Sequence, residues 1–310
     1  MKPEIIVRVQ FPSAAIELFE KDFVVHYSPS LEEFEKAIDD FPNTRALVTN
    51  GSIGVTAAQL SRLKNVEMVV TQGVGFENVD MATVKERGLV LTTGKGTNAF
   101  SVADHGMALL LSIARNIPWA DRQVREGLWL KSRGPQSLAF QKRLGIMGLG
   151  EIGMQIADRA RGFDMSISYH NRNKRSDVDY DYKETPLELA RDSDFVIVVM
   201  PGGPESKGLV GAEFLDALGP KGHLINIGRG TIVDTAELIK ALHEKRIAGA
   251  AIDVVAGEPT VTPELLAAPN LIITPHMAGR SPESVSEAMN RISNNLKAHF
   301  AGGEFVSRIA

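Results

Sequence analysis

The sequence predicts an α/β fold of two domains, each built on a mostly parallel sheet. Short apolar segments such as EIIVRV and FVVHY alternate with helical segments such as LEEFEKAID, which is the pattern of repeated strand-helix units. A chain of 310 residues with 44% hydrophobic residues can bury a core large enough for two domains. The alternation therefore indicates the fold class, and the length indicates the number of domains.

The first domain is predicted from one series of strand segments: EIIVRV, FVVHY, RALVT, VEMVV and GLVLTT. A helix with a broad apolar face is then predicted over residues 101–115, and Asn116, Pro118 and Gly127 interrupt the pattern after it. This helix is expected to lead from the first domain into the second.

A second series of strands begins at Arg143: RLGIMG, SISYH, DFVIVVM, HLINI, AGAAIDVV and NLIITP. Their continuous apolar character is typical of strands buried on both faces of a parallel sheet. One long helix, at about 281–300, follows after this series has ended, so we expect it to return to the first domain. The predicted domains are residues 1–98 with 278–310, and residues 99–277.

Composition narrows the classes of partner. The net charge of -4 provides no basic surface for nucleic acid, and no apolar run approaches the length of about 18 residues that a membrane span needs. The absence of cysteine excludes disulfides, thiolate catalysis and sulfur-ligated metals. No histidine-carboxylate cluster has metal-ligand spacing, so no metal site is predicted. We expect a cytoplasmic protein whose partners are small molecules.

The segment LGIMGLGEIGMQIA places Gly148, Gly150 and Gly153 in a G-x-G-x-x-G pattern between a strand and a helix. Such a turn lets the backbone approach a pyrophosphate while the N-terminal N–H groups of the helix face the anion. The alternative is a purely structural glycine turn, which the strand-helix-strand context disfavours. The predicted cofactor-binding turn comprises Gly148, Leu149, Gly150, Glu151, Ile152 and Gly153.

The next strand ends in HNRNKR, and Asn171 lies 18 residues after Gly153, about where an acid usually binds the ribose of NAD. An acid there would repel a 2′-phosphate, whereas Asn171 can form hydrogen bonds and Arg172 can bind the phosphate. Lys174 and Arg175 add positive charge. We therefore predict NADP(H), with NAD(H) possible but disfavoured; the alternative is that the run is only a solvated basic turn.

Three polar residues follow predicted strands: Arg229 in NIGRGTIVD, Glu258 in DVVAGEP and His276 in ITPHMAG. Reduction of a 2-keto acid needs an anchor for the carboxylate and a proton for the developing alkoxide. Arg229 suits the first role, and His276, oriented by Glu258, suits the second. Each residue taken alone is more often a surface arginine, a charge flanking a helix or a core histidine.

At these residues the chain resembles the D-isomer-specific 2-hydroxyacid dehydrogenase family, through GLGEIG, NIGRGTIVDTAEL, AIDVVAGEP and NLIITPHMAG. HNR after the second strand, with GVGFENVD and HMAGRSP, is most similar to the branch that reduces glyoxylate and hydroxypyruvate with NADPH. The resemblance implies two Rossmann-like domains with parallel sheets, a flavodoxin-like substrate domain that is discontinuous, and an inserted cofactor domain. It also implies a homodimer.

The resemblance assigns residue roles as well. Arg229, Glu258 and His276 match the catalytic positions of the family. Further implied contacts are those of Val74 and Gly75 with the substrate carboxylate, of Asp253 with the nicotinamide carboxamide, and of Pro201 with the cofactor.

Other functions stay open. The chain could act on another 2-keto acid, as a 2-ketogluconate reductase or a phosphoglycerate dehydrogenase does, because specificity can depend on few contacts. In a different class, it could be a nucleotide-sensing scaffold like the corepressors built on this fold. We predict that His105 packs within its helix interface and that Trp129 covers apolar surface.

Overall fold

The computed structural model describes residues 2–310 and divides into two compact units. The first, here the discontinuous unit, contains the residues up to Asn98 together with Arg280–Ala310. The second, the continuous unit, contains Ala99–Gly279. Each unit has one parallel sheet, which confirms the predicted fold class. The roles predicted for the two domains stay predictions.

The sheet of the discontinuous unit has five parallel strands in the order β2-β1-β3-β4-β5, which is the flavodoxin-like order. The strands are β1 (Glu4–Val7), β2 (Val24–Tyr27), β3 (Ala46–Thr49), β4 (Met68–Thr71) and β5 (Val90–Thr92). The helices between them are α1 (Ser13–Glu20), α2 (Leu31–Asp40), α3 (Ala57–Arg62) and α4 (Met81–Glu86). At the carboxyl edge of the sheet, β4 leads directly into the segment 72–78.

The sheet of the continuous unit has seven parallel strands in the order β8-β7-β6-β9-β10-β11-β12. They are β6 (Arg143–Met147), β7 (Ser166–His170), β8 (Asp181–Tyr182), β9 (Phe195–Val198), β10 (His223–Asn226), β11 (Gly249–Ile252) and β12 (Leu271–Ile273). The first six follow the dinucleotide-binding order, whose direction reverses between β6 and β9. Ligands of such sheets bind beyond the carboxyl ends at that switch point.

Seven helices belong to the continuous unit: α5 (Ala99–Ala114), α6 (Ile117–Arg125), α7 (Glu151–Ala160), α8 (Pro186–Arg191), α9 (Ala212–Leu218), α10 (Thr235–His243) and α11 (Pro263–Leu266). The apolar face predicted for α5 packs in the core with α7 and the central strands. The sequence pattern did not indicate α6, which has no buried residue and therefore no apolar face directed at a core.

The last helix, α12 (Pro282–Ala301), returns to the discontinuous unit, as its position after the second strand series predicts. Ile292 and Leu296 on α12 are buried in one apolar cluster with Ile5, Met68 and Val70 of the sheet. Burial of an aliphatic side chain contributes about 1.5–3 kcal/mol. The apolar core beside this sheet is therefore completed by residues from the last helix of the sequence.

Local signals in the sequence fix where several helices begin. Ser30 with Glu33 forms a capping box at the start of α2, and Thr185 with Glu188 forms another at the start of α8. No helix within residues 2–310 is both long and apolar enough to cross a bilayer. The predicted cytoplasmic location and the predicted lack of nucleic-acid partners stay predictions.

Candidate active site

The glycine-rich turn joins β6 to α7 at the switch point of the seven-stranded sheet. Gly148 has a φ of +109°, and a Cβ there would lie 2.8 Å from the backbone nitrogen of Met200 on the neighbouring loop. A Cβ at Gly153 would lie 2.5 Å from the carbonyl oxygen of Gly148, so α7 packs directly on the turn. Both positions therefore require glycine.

Gly150 differs from the other two glycines, because a Cβ there would meet no atom within 4 Å. It is the N-cap residue of α7, and no side chain caps the first N–H groups of that helix. A helix N-terminus with open space and uncapped donors suits a phosphate group. The turn from Gly148 to Gly153, with Leu149, Glu151 and Ile152, thus fits the pyrophosphate of a dinucleotide.

The end of β7 is tied to the glycine turn through Leu149. The Asn171 side chain accepts a hydrogen bond from the Leu149 N–H at 2.7 Å, and the Arg175 guanidinium donates to the Leu149 carbonyl oxygen at 2.9 Å. The residue that replaces the usual acid therefore holds the shape of the turn. Arg175 is also paired with Asp177, so it is engaged within its own segment.

Arg172 takes no part in the hydrogen bonds to Leu149. Its side chain is 83% exposed, and its Nη1 atom lies 3.3 Å from a carboxylate oxygen of Glu205, which is 82% exposed. Exposed pairs of this kind contribute little stability and exchange partners easily. Glu205 lies on the loop that follows β9, which also contains Pro201, another residue predicted to contact the cofactor. The two strand ends beside the glycine turn thus place the exposed cation Arg172 next to the exposed anion Glu205.

Arg229 lies on the short loop after β10. Its Nη1 atom donates to the carbonyl oxygen of Gly228 at 2.8 Å. A Cβ at Gly202 would lie 2.9 Å from the Cγ atom of Arg229, so the absence of a side chain there leaves room for the arginine stem. Asn226, fully buried at the end of β10, donates to the Arg229 carbonyl oxygen at 3.0 Å and accepts from the Gly228 N–H at 3.1 Å.

The loop that carries Arg229 packs against the segment that leads to Glu258. A Cβ at Gly230 would lie 2.0 Å from the carbonyl carbon of Val255, so the two backbones touch. Because β10, β11 and β12 are adjacent and parallel, the segments that carry Arg229, Glu258 and His276 leave the same edge of the sheet.

His276 and Glu258 form a direct pair. The Nδ1 atom of His276 lies 2.6 Å from Oε1 of Glu258, and the two side chains are 39% and 28% exposed. The Nε2 atom makes no hydrogen bond within residues 2–310. An imidazole that donates through Nδ1 to a carboxylate can hold a second proton at Nε2 and deliver it outward. The pair therefore has the composition of a general acid.

Asp253, at the end of β11, holds the turn that carries His276. It is 1% exposed and accepts hydrogen bonds from the N–H groups of Met277 at 3.0 Å and Ala278 at 2.9 Å. Burial alone would raise the pKa of Asp253. Hydrogen bonds from His105, from Thr274 and from these two N–H groups outweigh burial, so the pKa lies below its ordinary value. Asp253 is therefore an anchored carboxylate.

Two residues have surroundings that the sequence pattern did not indicate. His105 does not simply pack its helix: its Nε2 atom lies 3.0 Å from the Thr274 hydroxyl oxygen, because α5 passes beside the end of β12. Trp129 is 62% exposed on the irregular segment after α6, and its predicted role as a cover of apolar surface stays a prediction. Periodicity cannot reveal either placement, because both depend on tertiary neighbours.

Val74 and Gly75 belong to the discontinuous unit, in the segment after β4. Their backbone N–H groups make no hydrogen bond within residues 2–310. A Cβ at Gly51 would lie 2.7 Å from the carbonyl oxygen of Gly75, so the loop after β3 supports this segment closely. Two adjacent N–H groups without internal acceptors suit a carboxylate.

Within residues 2–310, no group of three or more histidine and acidic side chains is arranged to hold a metal ion. The strand order and the glycine turn define a dinucleotide-binding protein, with an arginine and a histidine-carboxylate pair on the loops at the carboxyl edge of its sheet.

Comparisons with known proteins agree with this class. The family model for the D-isomer specific 2-hydroxyacid dehydrogenase, NAD binding domain, matches residues 107–278. Glyoxylate/hydroxypyruvate reductase A HPR2 of Arabidopsis thaliana is 39% identical over 86% of this chain and 85% of its own length. The 2-ketogluconate reductase of Gluconobacter oxydans is 34% identical over 96% of both chains. The chain belongs to the D-isomer specific 2-hydroxyacid dehydrogenase family.

A solved structure is similar over the whole chain. The NADPH-dependent glyoxylate/hydroxypyruvate reductase of Sinorhizobium meliloti, in complex with NADP and malonate, matches with a TM-score of 0.91 at 32% identity. The match covers 100% of this chain and 97% of that one.

Proposed function

We propose that this protein reduces a small 2-keto acid of the glyoxylate and hydroxypyruvate type to the D-2-hydroxy acid, with NADPH as the reductant. The single observation that carries the proposal is the contact of 2.6 Å between His276 and Glu258, because it supplies a proton donor of the kind that carbonyl reduction needs. Relatives of this chain are named as reductases of glyoxylate or hydroxypyruvate.

The cofactor supplies the hydride when it is bound. The fit of the glycine turn to a pyrophosphate supports Gly148 to Gly153 as its phosphate site, where no side chain would obstruct the backbone donors. Arg172, exposed beside the end of β7, is proposed to bind the 2′-phosphate that distinguishes NADPH from NADH. Asn171 contributes by holding the turn, and Pro201 and Asp253 are proposed to contact the cofactor.

Side chains of the protein are proposed to bind the substrate carboxylate and to protonate the developing alkoxide. Arg229 is proposed to bind the carboxylate and to polarise the keto oxygen, since its guanidinium presents paired donors that stay charged at working pH. For Val74 and Gly75 of the discontinuous unit, binding of a substrate carboxylate by the two backbone N–H groups is likewise proposed, because these groups make no hydrogen bond within residues 2–310. His276 transfers the proton from Nε2 to the developing alkoxide, and Glu258 stabilises the imidazolium and fixes its orientation.

The direct test measures NADPH consumption against glyoxylate, hydroxypyruvate, 2-ketogluconate and a phosphorylated hydroxypyruvate, and repeats each assay with NADH. We expect the highest kcat/KM for one of the first two substrates with NADPH. A clear preference for 2-ketogluconate would move the protein to the activity named for its Gluconobacter relative. Tight NADPH binding without oxidation by any 2-keto acid would contradict enzymatic function and favour a sensing scaffold.

We also propose that the protein is a homodimer and that α6 with the segment after it forms the contact. The apolar side chains there are exposed: Ile117 by 52%, Val124 by 41%, Trp129 by 62%, Leu130 by 78% and Phe140 by 49%. Apolar surface grouped in this way marks interaction sites. Light scattering should give the dimer mass, and Leu130→Asp should give the monomer; a monomeric wild-type protein would contradict this part of the proposal.

A further inference from the structure

Helix α5 contacts the turn that carries His276 at two points. Ser101 donates from its hydroxyl to the carbonyl oxygen of Ala278 at 2.6 Å, and His105 lies beside Thr274 at 3.0 Å. Ser101 and His105 are four residues apart, so they lie on the same face of the helix. One helix therefore contacts both ends of the turn 274–278.

The hydrogen-bond geometry fixes which of these groups donates. The Thr274 hydroxyl gives its single proton to Oδ1 of Asp253 at 2.5 Å, so its oxygen is left to accept. The Nε2 atom of His105, 3.0 Å away, must then be the donor. Nε2 is also 3.4 Å from Oδ1 of Asp253. The result is a chain of donors that runs from His105 through Thr274 to a carboxylate.

That carboxylate controls the backbone around His276. Besides the Thr274 hydroxyl, Asp253 binds the N–H groups of the two residues after His276, and its carbonyl oxygen accepts the His276 N–H at 2.8 Å. His276 has a φ of +51°, in the left-handed region that side chains rarely adopt. Such a conformation persists only where the surroundings determine it strongly.

We propose that His105 is a positioning residue for His276: through Thr274 and Asp253 it fixes the left-handed turn that presents the imidazole to the substrate. His105 itself contacts neither His276 nor Glu258 by any hydrogen bond within residues 2–310. The inference rests on the proposed role of His276 as proton donor. It adds His105, a residue of helix α5 whose side chain is only 18% exposed.

The test uses two pairs of variants in the full chain. His105→Leu removes the donor, whereas His105→Gln keeps an N–H group in nearly the same place. Thr274→Val removes the hydroxyl at almost constant shape, whereas Thr274→Ser keeps it. We expect kcat to fall about tenfold in the Leu and Val variants, which is the effect of one lost hydrogen bond, and to stay within about twofold in the Gln and Ser variants.

Further readouts separate positioning from a general loss of structure. KM for the keto acid and Kd for NADPH should change by less than about twofold, because neither substitution removes a side chain that is itself proposed to contact the keto acid or the cofactor. The solvent deuterium isotope effect on kcat should rise in the Leu and Val variants, since a misplaced imidazole makes proton transfer slower. The double variant should lose no more than either single one, because both act along one path.

Controls keep the inference separable from the proposed function. His243→Leu, at the exposed end of α10, should leave kcat unchanged. If the wild-type enzyme is active and His276→Ala is not, yet His105→Leu and Thr274→Val keep full kcat, the positioning role is wrong while the function stands. Loss that appears in KM, or that Gln and Ser fail to restore, would also overturn it. If His276→Ala keeps its activity, the proposed function itself is wrong.

Discussion

The two edges of the seven-stranded sheet use the same residue types in opposite ways. At the amino edge, Arg143 donates to Asp194 through Nε at 3.2 Å and Nη2 at 2.9 Å, and His223 is buried against the ring of Phe195. At the carboxyl edge, the imidazole of His276 is held by a carboxylate on one side only. Arg143 and Asp194 at the first edge pair with each other, whereas the Nε2 atom of His276 at the second makes no hydrogen bond within residues 2–310.

The comparison shows that the residue type alone does not distinguish a structural histidine from a candidate catalytic one, whereas the burial and the partners of the side chain do. His223 is 5% exposed, and burial lowers its pKa to about 4, so it stays neutral at physiological pH. His276 is partly exposed and paired with an acid. A neutral, enclosed histidine is part of the packed interior, while a partly exposed histidine paired with an acid is accessible to a ligand. Four substitutions or pH experiments test this contrast, from the largest expected effect to the smallest.

The first concerns His276 alone. His276→Ala removes the proton donor, so kcat should fall about 10²–10⁴-fold, the usual contribution of a general acid. Kd for NADPH should change little, and Tm should stay within a few degrees, because the side chain is partly exposed. Steady-state kinetics and a thermal melt provide both values. Full activity in this variant would remove the contrast between the two edges.

The second tests the amino edge through pH. The folded-state pKa of His223 lies below its unfolded value of 6.5, so the unfolded chain binds more protons as pH falls. The stability it contributes is present above about pH 6.5 and is lost as pH falls toward 4, by roughly 2 kcal/mol at pH 5. His223→Leu should weaken this acid sensitivity in melts at pH 7.5 and 5, with kcat unchanged. An identical loss in both proteins would contradict the assignment.

The third prediction tests whether Arg172, at the carboxyl edge, distinguishes NADPH from NADH. Arg172→Ala should lower kcat/KM for NADPH about tenfold through loss of a charge-assisted hydrogen bond, and should leave the value for NADH within about twofold. Glu205→Gln is the matched variant, because it removes the carboxylate that shares Arg172. It should improve NADPH use by a few fold. Equal losses with both cofactors would show that Arg172 does not read the 2′-phosphate.

The smallest effect is expected for Arg143→Ala. Its pair with Asp194 is partly exposed, at 52% and 27%, so the loss of stability should be about 1 kcal/mol or less. Activity should not change, since the pair lies at the edge opposite to the site. A fall in kcat beyond twofold would mean that the amino edge also contributes to catalysis. Denaturant unfolding and the NADPH assay measure the two quantities.

Much of this arrangement follows from local pattern. The sequence predicts the apolar strands and the glycine turn between strand and helix. Both are predictable because the residues that determine them lie within a few positions of one another. Strand order then brings Arg229, Glu258 and His276 to one edge, which the sequence order of βα units already implies.

Other contacts could not be predicted, since they join distant parts of the chain. His105 and Thr274 are 169 positions apart, and Arg172 and Glu205 are 33 apart. Buried Asn226 left one signal, a polar residue closing the apolar strand HLIN. The use of Asn171 to hold Leu149 left none, because an asparagine at a strand end has many possible partners.

The return of α12 to the first sheet has a consequence for biosynthesis. Ile292 and Leu296 complete a core whose strands begin at Glu4, yet the ribosome makes all of Ala99–Gly279 in between. At about 5–20 residues per second, that interval lasts roughly 10–40 seconds. During this interval, the apolar residues of the five strands lack the helix α12 that covers them in the folded protein. The continuous unit can therefore fold before the core of the discontinuous unit is complete, because that core needs α12.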